Sequence, residues 1–254
     1  IEQTVNSLPA PVANFQTSPV TCKDQPVQFT DLSQFNGGTN ITSWHWDFDD
    51  PVSGLNNTSP LQNPSHIFST GNTSYNVRLI VVNASLCRDT ITKPVYIRAL
   101  PPVDFTYDTA CLNTVVHFNG NSGVTQIDSI VSWLWNFGDG TPSVTDPQTT
   151  SHLYGNIGTY LTSLTVTDHH GCMNTKSHSI QVNPLPLVDF SWNAPSCQGD
   201  EVQFIDHSTV PTGYLAKWIW DFGDGSPLKT VVIPNSPNVT HTYAGPSLTH
   251  VVRL

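Results

Sequence analysis

Three carboxylates crowd one short stretch of this chain: Asp47, Asp49 and Asp50, in Trp44-His45-Trp46-Asp47-Phe48-Asp49-Asp50-Pro51. Clustered oxygen ligands suit a hard cation, so these three form a candidate calcium site. Two features weigh against it. Asp47 and Asp49 leave a strand beside an aromatic run, and the two related stretches downstream lack a third carboxylate. Histidines at 66, 152 and 241 recur in Ser-His-Ile-Phe, Ser-His-Leu-Tyr and Thr-His-Thr-Tyr. Each precedes an aromatic at a strand start, the setting of a histidine satisfied within the fold rather than of a ligand. His169 and His170 occur in one copy only, thin support for a metal. There is no Gly-x-Ser-x-Gly elbow, no His-Glu-x-x-His, no Cys-x-x-Cys and no phosphate-binding glycine loop. The chain therefore reads as non-enzymatic, with no cofactor beyond the calcium just weighed. For binding, the unrepeated Trp192 is the candidate surface platform for a glycan, whereas the recurring Trp44, Trp133 and Trp218 pack with their neighbours.

The elements that would position these residues come in threes. The second Trp of the aromatic motif falls at 46, 135 and 220, steps of 89 and 85. A Phe upstream falls at 15, 105 and 190, and a Cys at 22, 111 and 197. Landmarks that move together at this period define tandem repeats, each the length of a small domain. Boundaries are expected at 8–98, 99–183 and 184–254, the last cut short. Residues 1–7 read as the tail of a preceding repeat, because Ile1 to Asn6 echoes Ile180 to Asn183.

Within a repeat, segments such as Val115-Val116-His117-Phe118 and Asn76-Val77-Arg78-Leu79-Ile80-Val81-Val82 are short, β-branched or aromatic, and alternate every second residue. Between them lie clusters of Asn, Gly, Pro, Ser and Thr, and no apolar run at helical spacing persists. The expected class is all-β: antiparallel sandwiches of immunoglobulin type in tandem. Trp133, Trp135 and Phe137 share one strand face, as do Trp46 with Phe48 and Trp220 with Phe222. The strand then stops at Gly138-Asp139-Gly140, or Gly223-Asp224-Gly225, where two glycines and an amide-accepting Asp make a tight turn. Asn136 and Asp221 point to the opposite face and tie down the adjoining loop. In the first copy Asp49 and Asp50-Pro51 replace the Gly-Asp-Gly, so that turn must be rebuilt and lengthened.

Trp-Asn-Phe-Gly-Asp-Gly and Trp-Asp-Phe-Gly-Asp-Gly, followed by Ser-His-Leu-Tyr-Gly-Asn-Ile-Gly-Thr-Tyr, resemble the signature of the PKD (polycystic kidney disease) domain family over nearly the whole chain. That resemblance implies immunoglobulin-like sandwiches of extracellular proteins, used as spacers or contact modules without catalysis of their own. The disulfide-bearing form with Pro-rich linkers is similar to arrays in large surface adhesins of gliding and other Bacteroidota-type bacteria. The expected role is thus a stalk or repetitive adhesive surface at the cell exterior, contacting surfaces, glycans or neighbouring repeats, with involvement in attachment or gliding. Accessory modules of a secreted hydrolase are the alternative.

Cys22 and Cys87 lie 65 apart and Cys111 and Cys172 lie 61 apart, at matching places in two repeats, so one bridge per domain is the economical pairing. Cys197 is then left alone, its match falling due just past Leu254. Bridges place the chain outside the cytosol. Prolines in the joints, Leu100-Pro101-Pro102 and Pro184-Leu185-Pro186, stiffen them toward a semi-rigid rod. A formal charge of −10, from nineteen acidic and nine basic residues, excludes the basic stripe a nucleic acid needs. No membrane span is visible in the sequence. Asn-x-Ser/Thr sequons stand at Asn40, Asn56, Asn57, Asn72, Asn83 and Asn238, several of them expected by chance in so Asn- and Thr-rich a chain.

Overall fold

The structure is a computed structural model that describes residues 3, 7–123, 129–145, 148–193, 197, 199–245 and 249–254. The tail read at 1–7 lies, apart from Gln3 and Ser7, outside the described residues. The fold is nearly all-β. The first repeat contains β1 (Phe15–Thr17), β2 (Pro26–Asp31), β3 (Ile41–Asp47), β4 (Thr58–Ser59), β5 (Ser65–Ile67), β6 (Thr73–Asn83) and β7 (Arg88–Ile97). The second contains β8 (Asp104–Tyr107), β9 (Val115–Asn121), β10 (Ile130–Asn136), β11 (Val144–Thr145), β12 (Thr149–Leu153), β13 (Gly158–Asp168) and β14 (Met173–Val182). The third contains β15 (Phe190–Trp192), β16 (Glu201–Asp206), β17 (Lys217–Trp220), β18 (Lys229–Val232) and β19 (Val239–Thr242).

Sheet order repeats with the sequence. The first repeat builds β1-β2-β5 and β4-β3-β6-β7, and the second builds β12-β9-β8 and β11-β10-β13-β14. The third builds β15-β16-β19 and the pair β17-β18. Even the irregularities recur: the ladder of β3 with β6 slips between Ile41 and Ser43, and that of β10 with β13 between Ile130 and Ser132. The chain gathers into two compact units, Ile1–Thr106 with Asn119–Thr150 and Thr162–His178, and Tyr107–Phe118 with Ser151–Leu161 and Ser179–Leu254.

Strand alternation explains each core. On β6, Tyr75, Val77, Leu79 and Val81 point inward while their neighbours face out. They meet Phe15, Val27 and Phe29 of the opposing sheet around Trp46, which is fully buried. Trp135 and Trp220 are equally buried. Each indole takes a Phe edge-on. Ring centroids lie 5.1 Å apart for Phe15–Trp46, 5.2 Å for Phe105–Trp135 and 5.1 Å for Phe190–Trp220, with interplanar angles of 70°, 77° and 78°. This geometry sets the positive ring edge against the negative face and adds to the area buried. The indole N–H donates to a loop carbonyl, Leu61 O at 2.9 Å or Pro237 O at 3.2 Å, so the polar end is satisfied inside.

The outer Trp of each motif is held differently. Trp44 and Trp218 donate their indole N–H to Asp31 and Asp206, at 2.7 and 2.9 Å. In the second repeat the matching position is Gly120, and the Trp133 ring occupies the space: a Cβ at Gly120 would lie 2.6 Å from Trp133 Cζ3. Two solutions thus serve one place, an acceptor or a gap.

Two outcomes follow. Trp46→Ala leaves a large cavity and costs about 3–5 kcal/mol, read as a lowered guanidinium midpoint for the first repeat. Gly120→Asp destabilises the second repeat by about 1–3 kcal/mol, although Asp stands at both equivalent positions, because the ring already fills the site. A neutral or stabilising Gly120→Asp in the same unfolding measurement contradicts this packing.

Candidate functional site

The aromatic strand and its turn carry the densest polar chemistry of the chain, and the fold spends it locally. Asn136 Oδ1 and Asp221 Oδ1 accept the amides of Gly138 and Gly223, at 2.9 and 3.0 Å. Asp139 Oδ1 then accepts the Thr141 amide and hydroxyl, and Asp224 Oδ1 those of Ser226. Successive Asx turns close the loop. Gly138, Gly140, Gly223 and Gly225 all have positive φ. At Gly223 the need is also steric, since a Cβ there would meet the Val251 carbonyl oxygen at 2.3 Å.

The first repeat rebuilds this turn with other residues. Asp49 takes the positive φ, and a 3-10 segment over Pro51–Asn57 lengthens the loop. Asn57 accepts the Asp50 amide through Oδ1 at 2.6 Å and donates to Asp47 through Nδ2 at 3.3 Å.

The three carboxylates of the calcium reading are not brought together. Asp47 Oδ2 takes the Arg78 guanidinium at 2.9 Å, and Asp49 Oδ2 takes the Asn76 amide at 2.9 Å. Asp50 turns inward to His66 Nε2 at 3.1 Å. Among the described residues no group of three or more His, Cys, Asp or Glu side chains is placed to hold a metal ion. Each of the three carboxylates accepts at least one protein donor.

Asp50 and His66 form the first copy of a recurring device. The His66 ring stacks on Phe48 at 4.3 Å and 8° and meets Phe68 edge-on at 4.5 Å. In the third repeat His241 bonds Asp224 at 2.7 Å, stacks on Phe222 at 4.0 Å and 5°, and meets Tyr243 edge-on at 4.7 Å. His152 keeps the same edge contact with Tyr154, at 4.7 Å and 85°. A His–Asp pair is also a common catalytic unit, but both side chains of the first pair are only 2 % exposed, and no substrate atom can reach them. The pair locks turn to strand.

Burial holds the His66 imidazole below its usual range, outweighing the hydrogen bond and charge of Asp50. The Ser226 hydroxyl, and after it His241, hold the Asp224 carboxyl well below the ordinary carboxylate range.

The cysteines correct the expected pairing. Cys22 is bonded to Cys172, and Cys87, Cys111 and Cys197 are free thiols. The reason is the length of one strand. Cys87 precedes the first residue of β7, whereas Cys22 bridges to Arg98, just past its last. Ten extended residues, about 33 Å at the usual rise, separate them, far beyond the reach of a disulfide. The second repeat is the same: Cys172 precedes β14, and Cys111 bridges to Asn183 beyond its end.

Of the contact candidates, Trp192 is 59 % exposed on β15. Sequence reasoning missed a shallow groove of about 480 Å³ between the edge strands β1 and β7, walled in part by Ser18, Pro19, Lys93, Tyr96 and Arg98. The Arg98 guanidinium lies 5.7 Å from the Tyr96 ring centroid. No single motif encodes this groove, since its walls are distant in sequence. One sequon is removed from consideration as a surface site: Asn83 is fully buried, its Oδ1 accepting the Ser85 and Cys87 amides.

For His66, the unfolded chain binds the proton more readily than the folded one. The stabilisation is fully present above the unfolded pKa near 6.5 and is lost as pH falls through the lower folded value. The melting temperature of the first repeat is expected to drop between pH 7.5 and 5. Asp50→Asn removes the charge that shelters an imidazolium and steepens this drop. Thermal melts with equal slopes for the two proteins overturn the assignment. Asp224 acts in more acid solution, its contribution present above pH 4 and lost below it.

Comparison with known proteins identifies the family. A profile described as PKD domain matches residues 8–99, 98–182 and 183–251. The chain is 35% identical over 104 residues, 41% of its length, to collagenase ColA of Bacillus cereus, and 37% identical over 70 residues, 28% of its length, to microbial collagenase of Vibrio alginolyticus. These matches span only 10% and 8% of the two collagenases. Among solved structures, the PKD1 domain of Vibrio anguillarum Epp is 26% identical, with 37% of this chain and 99% of that one covered and a TM-score of 0.31. Three successive profile matches, over repeats that share the buried Trp and the histidine set edge-on to an aromatic, make this chain a member of the PKD domain family, in three tandem copies.

Proposed function

We propose that these repeats are non-catalytic accessory modules of a secreted hydrolase, spacing its catalytic part and making weak contact with a fibrous extracellular substrate. The observation that carries the reading is the likeness, at 35% and 37% identity, to stretches of two collagenases. It favours the hydrolase accessory over the surface adhesin of gliding bacteria. The chemistry of the chain is consistent with it. The His66–Asp50 and His241–Asp224 pairs are tucked into the fold at the turn, and the exposed features suit contact rather than turnover. Trp192 offers an aromatic face, and Tyr96 with Arg98 a mixed aromatic and cationic one. The disulfide suits an oxidising, extracellular setting. Among the described residues no helix is long and apolar enough to cross a membrane.

Co-sedimentation with insoluble collagen fibrils checks the proposal. The chain is expected to pellet with fibrils and to leave a peptide substrate uncleaved, and Trp192→Ala or Tyr96→Ala is expected to reduce the bound fraction severalfold. Absence of binding to fibrils, together with attachment of chain-coated beads to cells or bare surfaces, would return the adhesin reading.

A further inference from the structure

The bridge that replaced the expected pairing has a register, and the register assigns the remaining thiols. Two kinds of cysteine occur in a repeat. The first kind sits in the turn before the second strand, at Cys22, Cys111 and Cys197. In each case a residue two places on has positive φ, Asp24, Asn113 or Gly199, and the cysteine carbonyl accepts the amide three residues later, that of Gln25, Thr114 or Asp200, at 3.3, 3.1 and 3.0 Å. Lys23 N to Arg98 O and Leu112 N to Asn183 O, both 2.8 Å, dock the first two of these turns on the end of the last strand.

The second kind sits in the hairpin before the last strand, at Cys87 and Cys172. Its amide is accepted by a buried side chain, Asn83 Oδ1 at 2.9 Å or Asp168 Oδ1 at 2.8 Å. Its carbonyl accepts the amide of the same residue, at 2.9 and 3.0 Å. Leu86 and Gly171 before it both have positive φ.

The observed bond joins a first-kind cysteine of one repeat to the second-kind cysteine of the next. Around it, Gln25 Nε2 donates to Met173 O at 3.2 Å, and Gly171 lies so close to Val20 that a Cβ would approach its Cγ2 to 3.3 Å. At Cys87 the equivalent neighbour, Leu86, is 84 % exposed.

We infer that Cys87 and Cys111 are open halves of the same cross-repeat staple, Cys87 receiving a first-kind cysteine and Cys111 a second-kind cysteine from another PKD repeat. Cys197 belongs with Cys111. The reaction is thiol–disulfide exchange: one thiolate attacks oxidised glutathione, and the second thiolate displaces reduced glutathione from the mixed disulfide. Two thiols lose two electrons and two protons, and one molecule of oxidised glutathione becomes two of the reduced form. The two surfaces are complementary in kind, so like does not pair with like.

The test incubates the whole chain at high concentration in a redox buffer of oxidised and reduced glutathione, followed by alkylation, intact mass and disulfide mapping. The monomer is expected to carry Cys22–Cys172 and three alkylated thiols. Disulfide-linked dimers are expected to join Cys87 of one copy to Cys197 or Cys111 of another. Cys87→Ser, the sole second-kind thiol left free, is expected to lower dimer at least tenfold while Cys22–Cys172 persists in its monomer as the marker of folding. Cys111–Cys172 in the monomer, dimers through Cys87–Cys87 or Cys111–Cys111, or no dimer at all would overturn the inference.

Discussion

Each repeat depends on one buried indole. Trp46, Trp135 and Trp220 stand on the strand that leads into the turn, and each fixes a Phe of the opposite sheet edge-on at just over 5 Å. A ring of that size fills the space between sheets, and the single donor of Trp46 and of Trp220 reaches a loop carbonyl, so one residue sets both layer spacing and loop position. The remaining core residues fill in around it at the places strand alternation provides. Small domains have little interior to spare, which makes such an anchor worth repeating.

The polar residues next to the indole serve the same end. Asp50 and Asp224 each hold a histidine whose ring lies flat on the motif Phe, which ties the turn to a distant strand through one hydrogen bond and one stack. Carboxylates that read as metal ligands in sequence are already bonded to Arg78, Asn76 and His66. These carboxylates take protein donors in three directions, and the buried Asp50–His66 dyad has no access to substrate. What stays outside are exposed aromatics, groove walls and the ends of the repeats.

Those ends are where the covalent chemistry lies. Bonding Cys22 to Cys172 closes a loop of 150 residues, which in the chain-entropy account is worth about 5 kcal/mol against the unfolded chain. A bridge within one repeat would reinforce a sandwich that its core already holds. The bridge instead links one repeat to the next, beside the Gln25–Met173 hydrogen bond and the approach of Val20 to Gly171.

Much of this was legible in the letters, because periodicity and residue type are local properties. The three copies, the all-β class, the inward Trp and Phe and the Asx-closed turn follow from spacing, alternation and turn chemistry, each readable within a dozen residues. The satisfied histidines followed too, although not their partner, since Asp50 and His66 are sixteen residues apart. What tertiary structure decided was every question of which end meets which. Matching positions named the cysteines that correspond but could not say that a strand of ten residues holds the two in one repeat far apart. The same holds for the carboxylates of the first turn, adjacent in sequence yet aimed at three different partners. Sequence by itself determined the repeating unit, because alternation and turn chemistry act between near neighbours. Only the folded chain decided the pairings, because a bond is chosen by distance in space, and strand direction carries neighbours in sequence to opposite ends of a sheet.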